Sequence, residues 1–158
     1  MSYTPIPIDL TITKITPPLD LQNGVLELAS GGDFVIPDPR GQYVIQWRFS
    51  IAPEVKTDKV FTANSVTFKY TPDGPEIGWA GGKLFDRMRA ENLEVDVYLD
   101  TRHWPEDEQG NPRTIHYRVW FNDIGNVDGK YGVIQGSDAS PDPTMKVKTG
   151  GGILPGTW

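Results

Sequence analysis

The chain carries two histidines, His103 and His116, no cysteine and 21 carboxylates, and that inventory bounds its chemistry. Without cysteine there is no thiol nucleophile, no thiolate metal site and no disulfide. A hydroxyl nucleophile needs a positioned base and an orienting acid, and no serine here sits in a nucleophile-elbow context. Two carboxylates can cleave a glycosidic bond. With 21 of them a suitably spaced pair is unavoidable, so spacing selects none. The residues point away from an enzyme, and no cofactor is expected.

Metal and phosphate sites fare no better. Asn122-Asp123-Ile124-Gly125-Asn126-Val127-Asp128-Gly129 has the oxygen-rich look of a calcium loop. Ile124 stands where the first carboxylate belongs, however, and a non-acidic residue such as Ile134 stands where the closing glutamate belongs. The stretch reads as an Asx-rich turn, with no metal. Gly150-Gly151-Gly152 leads into Ile153-Leu154-Pro155, not into a lysine or a helix, so it is no phosphate loop.

Binding is the chemistry that remains. Trp104 with Arg102 and His103 offers an aromatic and hydrogen-bonding platform suited to a sugar ring, and Trp79 lies among Gly78, Gly81 and Gly82, which let a ligand approach. Each has a plainer use: Trp104 as a cap on the core, Trp79 in a turn, in the core or at an oligomer contact. The termini are apolar in an organised way. Pro5-Ile6-Pro7-Ile8 alternates proline with isoleucine, and the Gly-rich tail 149–158 carries Ile153, Leu154 and Trp158. Such ends either dock on their own domain or grip a neighbouring subunit.

The elements that would position these residues are strands. Tyr43, Ile45, Trp47, Phe49 and Ile51 share one face of a period-two segment, as do Val66, Phe68 and Tyr70; Leu93, Val95, Val97 and Leu99; and Ile115, Tyr117, Val119 and Phe121. Successive side chains of a strand point to opposite faces, so this alternation marks half-buried strands. Leu10/Ile12, 34–36, 132–134 and 145–147 read as shorter strands, and Asn23-Gly24 as a hairpin turn between Leu19/Leu21 and Val25/Leu28. Pro-rich joints separate them. The expected fold is all-β: an antiparallel sandwich or jelly roll of eight or nine strands. One short helix is expected over 83–91, where Leu84, Phe85 and Met88 share a helical face and Asn92 supplies a stop. If residues 93–100 and 114–122 pair as a hairpin across the long loop 101–113, matching apolar faces excludes odd slips; one register sets Leu99 against Ile115 and Asp96 against Arg118, and slips of two stay open.

The whole 1–158 reads as one domain with an N-terminal arm (1–9) and a C-terminal tail (149–158). A net charge of −6 argues against nucleic acid as partner, and the apolar runs are too short for membrane insertion. No signal peptide is visible, which leaves cytoplasmic synthesis, with or without later entry into an assembled particle. The function expected is a structural or assembly protein. It would pack into a homo-oligomer or particle through Ile6, Ile8, Ile153, Leu154 and Trp158. A carbohydrate-binding module that takes a glycan on Trp79, Arg102, His103 and Trp104 is the alternative.

Overall fold

A computed structural model describes residues 2–19, 22–78, 83–135 and 142–148, apart from the side chains of 126–128. These residues form ten strands: β1 (Thr4–Thr16), β2 (Gly24–Leu28), β3 (Phe34–Ile36), β4 (Gln42–Ile51), β5 (Phe61–Lys69), β6 (Phe85–Glu91), β7 (Glu94–Asp100), β8 (Ile115–Asp123), β9 (Asn126–Gln135) and β10 (Thr144–Val147). A single 3-10 turn, Thr101–His103, follows β7. All ten strands belong to one mixed sheet in the order β3-β10-β8-β9-β2-β1-β4-β7-β6, with β5 on the remaining edge of β8.

The four strongly alternating segments explain why this sheet cannot lie flat. Each must bury one apolar face, and the sheet does so by rolling until its two halves face each other. Trp47 of β4 meets Tyr117 of β8 with ring centres 4.9 Å apart, and Phe49 meets Phe121 edge-on at 5.1 Å. Phe61 of β5 meets Tyr131 of β9 at 4.9 Å. The free margins return to one another: Phe68 of β5 stacks on Phe85 of β6 at 4.2 Å, and the Ala63 amide donates to the Asn92 carbonyl at 2.6 Å.

An all-β fold is what the alternation predicts, but a purely antiparallel one is not found. β1 pairs with β4, β2 with β9 and β3 with β10 in parallel. β1 is the reason. Its residues 4–12 lie along β4, then the register shifts between Ile12 and Lys14 and residues 14–16 lie antiparallel to β2. One strand thus serves both halves of the roll. Side-chain alternation is the same in parallel and antiparallel strands, so it carries no information about direction.

The helix expected over 83–91 is instead β6. A bulge between Phe85 and Arg87 inserts one extra residue, so Phe85 opposes Leu99 and Met88 opposes Val97 on the same inner face. That three-residue step imitates helical spacing. Asn92 ends β6 as part of the tight turn into β7, with φ at 50° in the left-handed region that asparagine tolerates. The 93–100/114–122 hairpin is also absent. β7 pairs with β4 and β6, while β8 pairs with β5, β9 and β10. Matching apolar faces narrow the register of a pair once it forms, but they do not choose the partner. Asp96 consequently bonds to Arg48 at 2.8 Å, and Arg118 to Asp142 at 2.6 Å. Asn23-Gly24 makes no two-residue turn: the β1–β2 ladder begins at Thr16 opposite Val25, and Gly24 is a strand residue. The Asx-rich stretch is mostly strand: Asn122 and Asp123 end β8, Asn126–Gly129 open β9, and the turn is confined to Ile124-Gly125, where the Gly125 amide donates to Asp123 Oδ1 at 3.1 Å and Lys59 holds the other oxygen at 3.3 Å.

Candidate functional site

One end of the roll collects the start of β1, the 37–41 turn, loop 101–113, the chain after β5 and the start of β6. Thr101, fully buried, ties these parts together. Its hydroxyl accepts from the Gly41 amide at 2.9 Å and lies 3.2 Å from the Gly41 carbonyl, to which it donates. Arg40 Nη1 donates to the Thr101 carbonyl at 3.1 Å. Thr101→Val keeps the shape and removes the hydroxyl, leaving the Gly41 amide unpaired while the Gly41 carbonyl keeps the Thr101 amide at 2.8 Å. Denaturant unfolding should show a loss of about 1–3 kcal/mol, the range for orphaning buried polar groups.

Loop 101–113 is built around Trp104, only 5% exposed, whose Nε1 donates to the Arg113 carbonyl at 2.8 Å. The Arg113 amide returns to the Pro105 carbonyl at 2.9 Å, closing the loop's neck. The Trp104 ring therefore caps the core and presents no open face. Arg102 is also engaged: its Nε donates to Asp100 Oδ1 at 2.8 Å, and its guanidinium and backbone amide both bind that carboxylate. Arg102 holds the Asp100 carboxyl below its ordinary value, working against partial burial.

His103 alone of the loop trio faces a cavity. A cleft of about 150 Å³ lies between His103 and Pro105 on one side and Ile77, Gly78 and Lys83 on the other, floored by Leu84 and Phe85 and walled by Tyr70. Arg113 lies over the Tyr70 ring, 4.7 Å from its centre, and holds that wall. A shallower hollow of about 360 Å³ shares Lys83, Phe85 and His103 and is bounded by Tyr3, Gln42 and Asp86. There Tyr3 Oη donates to Asp86 Oδ2 at 2.6 Å, which with slight desolvation raises the phenol above its ordinary value. Arg87 covers the Tyr98 ring at 4.0 Å, and Tyr3 meets Tyr98 edge-on at 5.1 Å. Tyr3 thereby latches the chain's beginning to β6 and β7.

The arm residues Ile6 and Ile8 lie within β1, opposite Ile45 and Trp47, half-buried against the core. Trp79, Ile153, Leu154 and Trp158 lie outside the described residues. Lys83, Tyr3 and Asp86 were not singled out in the sequence: Lys83 and Asp86 sit in the stretch read as helix, and nothing local marks Tyr3. Trp120, on the outer face of β8, is occupied structurally. Its ring covers Gly132 of β9, its Nε1 donates to Thr67 Oγ1 at 3.0 Å, and Arg118 and Lys130 flank it.

The two hollows bring His103 and Lys83 together with the Tyr3–Asp86 pair at this end of the roll. Among the described residues no helix is long and apolar enough to cross a membrane, and no group of three or more His, Asp or Glu side chains is set to hold a metal. No family model matches the sequence, and no curated protein resembles it at a significant level.

Proposed function

We propose that the protein is a non-enzymatic structural β protein that packs with copies of itself, through its N-terminal strand, into an oligomer or larger particle. The observation that carries this reading is how residues 4–11 of β1 are held. They pair with β4 along one edge, and β2 joins β1 only from Ile12 onward. The Ala52 amide bonds to the Ile12 carbonyl, so in this parallel ladder the even residues face β4 and the odd ones face the open edge. Pro5 and Pro7 therefore stand on that edge, where their missing amides discourage indiscriminate strand addition. The bulge at 12–14 gives the segment a natural hinge. An identical segment from a second copy satisfies the same β4 edge with the same contacts, which makes exchange thermodynamically inexpensive.

The absence of native cysteine allows a clean test. Pro7 and Gln46 are opposite one another in the β1–β4 ladder, so P7C/Q46C places two thiols across that pair. Oxidation should yield disulfide-linked multimers on a non-reducing gel, and light scattering on the unmodified protein should give a mass above that of one chain. A disulfide formed only within single chains, together with a monomeric mass, overturns the reading.

A further inference from the structure

We propose that a slot on the outer face of β5 and β8, between Thr67, Lys69, His116, Arg118 and Asp142, is a binding site for a neutral saccharide. The inference does not rest on β1 exchange, and its residues are not those of the loop trio Arg102, His103 and Trp104.

Three observations carry it. The first is how the strands set the residues. β5 and β8 are antiparallel, with Lys69 opposite His116 and Thr67 opposite Arg118. Their neighbours in sequence, Val66, Phe68, Ile115, Tyr117 and Val119, are buried in the core, so these four stand on the outer face. Adjacent strands lie about 4.8 Å apart, and one small molecule can touch both rows. Glu76, bridged to Lys69 through the backbone, and Asp142 wall the slot. Its volume of about 40 Å³ holds roughly three water-sized groups, the size of one hydroxylated edge of a pyranose ring. The second is an unsatisfied atom. His116 lines the slot, and its Nδ1 is shielded from solvent without a hydrogen-bond partner among the described residues. Buried polar atoms are nearly always paired, so this nitrogen calls for a partner that the described fold does not supply.

The third is charge and hydrogen-bonding capacity. Arg118 Nε donates to Asp142 Oδ1 at 2.6 Å, and Nη2 lies 2.6 Å from the same oxygen. This pair fixes the guanidinium and leaves Asp142 Oδ2 and Arg118 Nη1 with no bond to a described residue. Thr67 Oγ1 accepts from Trp120 Nε1 at 3.0 Å, so its own hydrogen is left to donate. Around the slot Lys69 and Arg118 balance Glu76 and Asp142. Donors and acceptors stand side by side with no net charge. An ion gains little from such a set, whereas vicinal hydroxyls, each both donor and acceptor, match it. Trp120 at the rim adds apolar surface for the C–H face of a sugar.

The chain has only two histidines, so the imidazole nitrogens give an uncrowded readout in the full chain, with His103 as internal control. In isotope-labelled protein, titration with methyl glucoside, methyl galactoside and methyl mannoside should move the His116 nitrogens saturably, in the millimolar range, for at least one sugar. The His103 nitrogens should stay in place. Lys69→Met keeps the aliphatic stem and removes one charged donor, and it should weaken that binding by about tenfold or more. Sodium sulfate serves as the anionic comparison and should move His116 less than the sugar does. Four results overturn the proposal: His116 unmoved by all three sugars, His103 moving equally, sulfate moving His116 more than any sugar, which would assign an anion site, or Lys69→Met binding as tightly as the parent.

Discussion

Gly24→Ala should lower stability by about 3 kcal/mol, at the upper end of the range for overpacking a core. A Cβ at Gly24 would lie 2.5 Å from Tyr131 Cδ2 and 2.6 Å from Cε2. The Tyr131 ring has nowhere to go. It is 1% exposed, packed edge-on against Phe61, and carried by the strand that pairs in parallel with β2. Either the ring or the β2 backbone must shift, and each movement disturbs the Leu26 and Leu28 positions beside it. A domain of this size loses roughly 2–4 °C of melting temperature per kcal/mol, so the expected drop is about 6–12 °C. Gly41→Ala is the matched control. Nothing lies within 4 Å of its added methyl, and its melting temperature should stay close to that of the parent. Equal melting temperatures for the two variants would show that Tyr131 yields without cost.

Trp104→Ala should be at least as damaging, about 3–5 kcal/mol, because it empties the space of a buried indole and removes the donor to Arg113. The effect should be visible first as proteolytic cleavage within 101–113, and then as a lowered denaturation midpoint. Trp104→Phe separates the two contributions: it keeps most of the apolar volume and forfeits the hydrogen bond, at roughly 1–3 kcal/mol. A ligand assay on Trp104→Ala would confuse loss of the loop with loss of a contact. His103→Ala and Lys83→Ala probe the same region without dismantling it, since both side chains are exposed.

Particular residues show which parts of this architecture were legible in advance. The inner faces of β4, β5, β7 and β8 could be read residue by residue, because a half-buried strand needs only a period of two and each of these keeps it. Pairing could not. Val97 has the same pattern whether it faces Ile45, as it does, or Tyr117, and only the whole topology separates the two. β6 has the apolar spacing of a helix because its bulge puts Phe85 and Met88 three positions apart on one face. The cleft was half legible: the long loop drew attention to His103, yet Trp104 and Arg102, its more conspicuous neighbours, are committed to holding the loop itself. Tyr3 gave no signal at all, since its partners Asp86 and Tyr98 lie more than eighty residues away.

The parallel pairing of β2 with β9 has a kinetic side. Residues 24–28 are made early, but the strand that completes their outer edge comprises residues 131–135. Until those residues arrive, β2 is a short apolar strand with an open margin, and β1 is equally without β4. Contacts this distant in sequence are slow to form, and chains grow at only about 5–20 residues per second. The nascent protein should therefore pass several seconds with unfinished strand margins, the interval in which a holding chaperone would bind it most strongly.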